Sequence, residues 1–233
     1  VQAQLLRMAQ SGRLPHALLL LGPPGAGKRT LALALAQYVL CEKPSADDSC
    51  GHCSACRVVA QMKHPDLHFS YPTVGANAIS ENFIEQWREL MEANPYFDVF
   101  EWVKTIAKDN NQGNINKEEC VNIVRKISLK AFMGKRKILI MWLQEFLGKE
   151  GNRLLKLIEE PPEDTLFIFL AENPERILPT ILSRCQILRA GPIEDEAVAA
   201  GLQSRKGLAL EQVRALALLA DGNFNTAQQL AAN

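Results

Sequence analysis

A glycine-rich segment with the spacing of a phosphate-binding loop directly follows an apolar run. Residues 22–30 read GPPGAGKRT, in which the first glycine, the last glycine and the lysine match GxxxxGK[ST]. Such glycines let backbone amides and a helix N-terminus face an anion, and the lysine reaches the outer phosphates. The predicted nucleotide-binding residues are Gly22, Pro23, Pro24, Gly25, Ala26, Gly27, Lys28, Arg29 and Thr30.

One position of this segment departs from the pattern. Arg29 stands where a hydroxyl should ligate magnesium, and a guanidinium cannot ligate a metal. Thr30 is a poor substitute because one residue along a helix rotates the side chain by about 100°. The sequence therefore predicts a loop that can hold ATP or ADP without hydrolysis, and the alternative is a glycine-rich turn without ligand.

Four cysteines follow the predicted loop helix. Cys41, Cys50, Cys53 and Cys56 lie within 16 residues, the last three in the repeat CGHCSAC. Four thiolates at such spacing can close a tetrahedral zinc site, which leaves no open position for catalysis. Disulfides and redox thiols are the alternatives, and four thiolates also suit iron. Structural Zn²⁺ is the expected ligand.

Composition sets few limits on partners. The chain has 233 residues, 47% of them hydrophobic, which is enough for a sizeable core. Lys plus Arg equals Asp plus Glu at 26 each, so no overall basic charge points to nucleic acid. The apolar runs are shorter than the roughly 20 residues of a membrane span. We expect a cytoplasmic protein, and Val1 suggests that the sequence is a fragment.

Apolar runs alternate with helical patterns along the first part of the chain. This order predicts an α/β domain with a parallel five-stranded sheet. The predicted strands are Ala17–Leu21, Leu67–Ser70, Lys137–Trp142, Thr165–Leu170 and Cys185–Leu188.

The remaining patterns divide the chain further. Residues 77–109 resemble an inserted helical pair, with Pro95 between its two apolar periods. From residue 193 the pattern is helical only, and Gly191 and Pro192 mark a boundary. We therefore expect one domain over 1–191, including the cysteine module at 41–56, and a small all-α domain over 192–233.

Residues 154–185, LLKLIEEPPEDTLFIFLAENPERILPTILSRC, resemble the clamp-loader branch of the AAA+ ATPases. Members of this branch share a phosphate loop, a four-cysteine zinc module, EEPP and SRC, and all four occur here in order. The resemblance implies an AAA+ P-loop domain followed by a helical lid domain. The collar-forming third domain of that branch is absent from this sequence.

Within that branch, hydrolysing members end the third strand with Asp and Glu. Met141, Trp142 and Leu143 occupy that region here, and none can hold magnesium or activate water. Glu145 is the nearest acid: in a shifted register Gln144 and Glu145 would form a degraded acidic pair with residual hydrolysis, and otherwise Glu145 is a solvated helix start. Asn225 stands where active members place an arginine of the lid against the nucleotide. The resemblance therefore implies a subunit deficient in hydrolysis.

By contrast, the SRC motif is intact. In the resembled branch its arginine, here Arg184, crosses the subunit interface to the phosphate of the neighbour's ATP. Such a finger, supplied in trans, acts on charge that develops in the transition state. Arg184 is therefore the expected catalytic residue, acting on a neighbouring subunit.

This combination most closely resembles the delta-prime group of DNA polymerase III clamp loaders. The resemblance implies a rigid stator in a bacterial complex with gamma or tau and delta subunits. That complex places the sliding clamp on primer-template DNA during replication.

Two alternatives remain at this stage. One is a hydrolysing gamma or tau type subunit. The other is a zinc-containing nucleic-acid-binding module, suggested by the cysteines and by the basic run at 126–137, KISLKAFMGKRK.

Overall fold

Five parallel strands form one sheet at the centre of the molecule. The computed structural model describes residues 1–107, 112–134, 136–206 and 208–232. The strands are β1 (Ala17–Leu21), β2 (Leu67–Ser70), β3 (Lys137–Trp142), β4 (Thr165–Ala171) and β5 (Gln186–Arg189), in the order β2-β3-β4-β1-β5. All pairings are parallel, as predicted.

Helices connect the strands and cover the sheet. They are α1 (Gln2–Gln10), α2 (Lys28–Leu40), α3 (Ser54–Ala60), α4 (Ile84–Ala93), α5 (Val99–Ile106), α6 (Lys117–Ile127), α7 (Leu155–Glu159), α8 (Pro179–Leu182), α9 (Asp195–Lys206), α10 (Leu210–Ala220) and α11 (Phe224–Leu230). Shorter 3₁₀ segments cover Ser80–Phe83, Gln144–Leu154 and Pro174–Arg176. Within the described ranges, no helix is both long and apolar enough to span a bilayer.

Alternation along the strands creates two apolar layers. Leu18 and Leu20 of β1 belong to one core cluster, whereas Leu19 and Leu21 belong to the other. Successive side chains of a strand point to opposite faces, so a strand buried on both sides must be apolar throughout. The sheet therefore holds its carboxyl-terminal edge, where the loop after β1 begins, in a fixed position.

Helices α4 and α5 lie between β2 and α6 in the sequence, and each contributes a tryptophan to an aromatic cluster. The Trp87 ring stacks on Tyr71 with 4.2 Å between centroids and meets Trp102 edge-on at 5.3 Å. The Trp102 Nε1–H also donates to the Pro72 carbonyl at 2.7 Å. Aromatic pairs of this kind add stability beyond area burial. These contacts fasten the two helices to the sheet.

Two predicted segments, the helical insertion and the basic run, extend beyond the described residues. Of the predicted helical insertion at 77–109, residues 108 and 109 lie outside the described residues. Lys135 of the basic run lies outside them as well.

The last three helices pack around a separate apolar cluster. Val198, Leu202, Val213, Ala217 and Phe224 are all buried there. Asn223 caps α11, since its side-chain oxygen accepts the backbone N–H groups of residues 225 and 226. This cap fixes the start of α11, which faces the loop after β1.

Candidate nucleotide loop, cysteine cluster and exposed arginine

The predicted phosphate loop lies at the carboxyl end of β1, where α2 begins. Gly25 and Gly27 have φ values of 70° and 73°, a region that glycine enters without steric cost. Because β1 pairs with β4, the residues that follow β4 lie beside this loop. The fold thus brings Glu172 close to Lys28.

Lys28 is turned toward its own loop. Its Nζ donates to the carbonyl oxygens of Gly22 and Pro23 at 2.7 and 2.6 Å, and lies 3.7 Å from Glu172 Oε1. Burial lowers the pKa of Lys28, while Glu172 opposes that shift. The ammonium group is therefore satisfied by protein atoms.

Glu172 was missed by sequence reasoning. Burial raises the pKa of its carboxyl, while the nearby Lys28 opposes that shift. A signal was present, since a residue after β4 must lie beside a residue after β1 if the two strands are neighbours. Strand order, however, was not predicted.

Arg29 is buried and is bonded to residues outside the loop. Its Nε donates to the Pro95 carbonyl at 3.0 Å, and an Nη donates to the Phe97 carbonyl. The guanidinium carbon lies 3.7 Å from the Phe97 ring centroid and 4.3 Å from the Trp142 ring centroid. Burial lowers the pKa of Arg29 to about 9, so the group is still charged at neutral pH. Arg29 thus joins α2 to the segment between α4 and α5.

The end of β3 offers no carboxylate for magnesium. Met141, Trp142 and Leu143 are all buried, and Leu143 adopts a left-handed conformation at φ 56°. The interpretation of Glu145 as a solvated helix start is wrong, because this side chain is buried. Its Oε1 accepts the backbone N–H groups of Glu172 and Asn173 at 2.8 and 3.1 Å. Glu145 therefore holds the chain after β4 in place.

The start of α11 contacts the phosphate loop directly. The Phe224 N–H donates to the Gly25 carbonyl at 3.3 Å. A Cβ on Gly25 would overlap the Asn223 side chain, so the contact is close. Asn225 is buried and forms hydrogen bonds with Asn94, directly after α4, and with Glu101 of α5.

Little space remains around the loop. One cavity at the loop has a volume of about 20 Å³. It is lined by residues 24–29, Pro95, Tyr96, Phe97, Trp142 and Glu172. That volume corresponds to one or two water molecules.

The four predicted metal ligands lie together. The sulfur atoms of Cys41, Cys50, Cys53 and Cys56 are all within 4.8 Å of one another, so these residues can hold a metal ion. Backbone N–H groups of three of these cysteines donate to neighbouring sulfurs at 3.3 to 3.4 Å, which favours thiolates. A backbone hydrogen bond from Glu42 lowers the pKa of Cys53 to about 6.

The cluster is also tied to α2. Gln37 Nε2 donates to the Cys56 carbonyl at 3.2 Å. An ion bound by the four sulfurs would thus also stabilise α2, the helix that starts at the phosphate loop.

Arg184 lies at the end of α8, just before β5. One Nη donates to the Thr180 carbonyl at 2.6 Å and to Ser183 Oγ at 3.2 Å. The other Nη forms an ion pair with Glu159 of the EEPP motif. A third of the Arg184 side chain is exposed. The arginine is held by its own chain and remains partly exposed.

Known proteins resemble this chain in sequence and in fold. It is 32% identical to DNA polymerase III subunit delta' of Pseudomonas aeruginosa over 92% of the chain and 55% of that protein. For the delta' subunit of Escherichia coli the identity is 30%, over 81% of the chain and 46% of that protein. A gamma/tau subunit from Mycobacterium tuberculosis is 29% identical over 79% of the chain and 26% of its own length.

The fold resembles that of two solved structures from Thermotoga maritima. A DNA polymerase III gamma subunit-related protein superimposes with a TM-score of 0.56 at 18% identity, over 98% of this chain and 56% of that one. RuvB superimposes with a TM-score of 0.54 at 14% identity, over 98% and 57%. Together with the sheet, these matches confirm the predicted AAA+ fold class.

The chain spans about half the length of the delta' relatives it matches. The sequence model of the family described as "DNA polymerase III, delta subunit" matches residues 1–194. By this match over most of its residues, the chain belongs to the DNA polymerase III delta subunit family.

Proposed function

We propose that this chain is the delta-prime type stator of a DNA polymerase III clamp loader. In this role it does not hydrolyse ATP itself but supplies Arg184 to the nucleotide of a neighbouring subunit. The observation that carries the proposal is the placement of Arg184 and the phosphate loop at opposite edges of one sheet.

The strand register supports action in trans. Leu18 pairs with Gln186 and Leu21 with Arg189, so β1 and β5 run side by side over four residues. Arg184 precedes this stretch and Gly22 follows it. At about 3.3 Å per residue, the two sites are at least about 13 Å apart along the sheet. An arginine side chain cannot span that gap, so a nucleotide that contacts Arg184 would belong to another molecule.

The residues around the loop support the absence of hydrolysis. Arg29 is bound to other protein groups, and Lys28 is paired with Glu172. Met141, Trp142 and Leu143 at the end of β3 carry no carboxylate, and the nearest acid, Glu145, accepts the backbone N–H groups of Glu172 and Asn173. The proposed partners are therefore hydrolysing gamma or tau subunits together with delta. Through them the complex would act on the sliding clamp and primer-template DNA.

The proposal is tested by steady-state ATP hydrolysis. The purified chain should hydrolyse little ATP alone, whereas mixing with gamma or tau and delta from the same source should give turnover stimulated by clamp and primed DNA. Robust hydrolysis by the pure chain would instead favour the gamma or tau type of subunit. Strong salt-dependent DNA binding by the isolated chain would favour the nucleic-acid-binding module.

Lys28→Ala should change turnover of the assembled complex by less than about twofold. The reason is that Lys28 Nζ is bound by its own loop and by Glu172, while in the proposed assembly hydrolysis takes place on other subunits. Turnover should be measured at saturating ATP, with assembly checked by gel filtration. A loss of turnover in an intact complex would show that this loop is a working site.

For the cysteine cluster we propose structural Zn²⁺ held by all four thiolates. Four sulfur ligands would leave no open coordination position, so the ion would supply folding energy to residues 41–60 and not chemistry. The hydrogen bond from Gln37 to the Cys56 carbonyl would link the stabilised segment to α2.

Cys56→Ala is expected to abolish retention of zinc. The purified chain should release about one ion per molecule when its thiols are modified, measured with a chromogenic chelator. Cys120→Ala is the matched control, since Cys120 is equally buried but lies outside the cluster. Equal zinc in both variants would contradict the assignment.

A further inference from the structure

The guanidinium of Arg184 is tied to a second structural element by Glu159, the last residue of α7. We propose that Glu159 is a positioning residue for Arg184: its carboxylate sets the direction in which the guanidinium meets the nucleotide of a neighbouring subunit. This inference rests on the proposed function and gives the first acid of EEPP a role in the rate of hydrolysis. Glu159 itself would touch no reacting atom.

The partners of Arg184 differ in what they can fix. The Thr180 carbonyl and Ser183 Oγ, which accept from one Nη at 2.6 and 3.2 Å, belong to the same turn of chain as Arg184. Glu159 pairs with the other Nη and comes from a separate helix. Among the described residues, it is the only partner of this guanidinium outside residues 180–184. The direction of the guanidinium relative to the rest of the molecule therefore depends on Glu159.

Both helices are anchored in the same apolar layer. Ile158 of α7 and Ile181 of α8 are each 1% exposed and belong to one core cluster, together with residues of β1, β3 and β4. Ile158 directly precedes Glu159, and Ile181 lies about one helical turn before Arg184. Because close-packed side chains leave the backbone little freedom, the ion pair joins two fixed points. It thereby holds the charged end of a long side chain that could otherwise rotate.

Fold stability does not account for this ion pair. The side chains of Arg184 and Glu159 are 33% and 43% exposed, and exposed ion pairs contribute little to folding. The carbonyl groups at the carboxyl end of α7 also disfavour a negative charge there. A carboxylate beside the guanidinium even weakens its attraction for a phosphate. What the carboxylate provides is orientation, which matters for a group that must meet developing charge in one geometry.

The ion pair leaves donors available for a nucleotide. A guanidinium has five N–H donors in one plane. Within the described parts of the chain, Thr180, Ser183 and Glu159 occupy at most three of them, and the Nε–H has no acceptor. At least two donors thus remain for phosphate oxygens while the others are held.

Glu159→Ala should slow single-turnover hydrolysis at the Arg184-dependent site of the assembled complex by about tenfold, because a misdirected finger stabilises the transition state less. The ATP concentration that gives half the maximal rate should not change, since ground-state binding is unaffected. Glu159→Gln keeps the size of the side chain and an oxygen that can accept an Nη–H, so it should be slowed less than the alanine variant. Clamp and primed DNA are present, and gel filtration checks assembly.

Glu160→Ala is the matched control. Glu160 is the adjacent exposed acid of EEPP and forms no ion pair with any described residue. Its replacement removes the same charge and should change the rate by less than about twofold. In an Arg184→Ala background, Glu159→Ala should cause no further slowing, because the group that it positions is gone. Further slowing there would overturn the positioning role, as would an unchanged or faster rate for Glu159→Ala alone.

NMR relaxation of the isolated chain tests the same inference without the assembly. The order parameter of the Arg184 Nε–H bond should fall in Glu159→Ala and keep its wild-type value in Glu160→Ala. An unchanged order parameter in Glu159→Ala would overturn the inference.

Failure of the stator role and failure of this inference have different signatures. Full activity of Arg184→Ala would contradict the stator role and the positioning role with it. A slow Arg184→Ala complex beside a fast Glu159→Ala complex would contradict the positioning role alone.

Discussion

Replacement of Arg184 by alanine is expected to slow hydrolysis at the adjoining ATP site of the assembled complex by about 10³-fold or more. An arginine finger meets charge that develops on the transferred phosphoryl group in a site that excludes water. Arg184 is suited to this because its guanidinium is steadied by Thr180, Ser183 and Glu159 while a third of the side chain stays exposed. Single-turnover hydrolysis with clamp and primed DNA would isolate that site.

The matched control is Arg189→Ala. Arg189 is also an exposed arginine, but it lies at the opposite end of β5. Arg184→Lys should recover only a small part of the rate, because an ammonium lacks the planar fork that meets phosphate oxygens in pairs. Full activity of Arg184→Ala in an intact complex would remove the basis of the stator proposal.

Replacement of Arg29 by alanine is expected to lower the free energy of unfolding by about 3 kcal/mol. The change removes a desolvated cation that lies against the Phe97 and Trp142 rings, and it leaves the carbonyls of Pro95 and Phe97 without this donor. Urea denaturation followed by tryptophan fluorescence would measure the loss.

Two further variants serve as controls for the effect of Arg29→Ala on stability. Arg13→Ala removes an exposed arginine and should change stability by less than about 0.5 kcal/mol. Arg29→Met keeps much of the side-chain volume but no donors, so it should be nearly as destabilised as the alanine variant. Stability of Arg29→Ala equal to that of the wild type would mean that the arginine does not hold the loop helix.

The sheet could be predicted from the sequence because its signals are local. Strands β1, β3 and β4 are short, largely apolar runs, and the predicted ends of all five strands differ from the observed ends by one residue at most, as at Ala171 and Arg189. The cysteine cluster was also predictable, since its four ligands come from one short segment.

The surroundings of the phosphate loop could not be predicted in the same way. Arg29 was recognised as unsuited to magnesium, but its partners lie 66 and 68 residues further along the chain. Contacts at such separation leave no periodic trace in a sequence. Glu145 was misread for the same reason, because its burial depends on the chain after β4.

The opposed placement of Arg184 and the phosphate loop affects how many complete sites an assembly of such subunits can contain. Subunits that associate head to tail form one shared site at each junction, with the loop from one molecule and the arginine from the next. In the proposed role this chain offers an arginine but does not hydrolyse ATP at its own loop, so it completes a junction on one side only. An assembly that includes this chain would therefore contain fewer hydrolysing sites than subunits. The missing site would be the one at the phosphate loop of this chain.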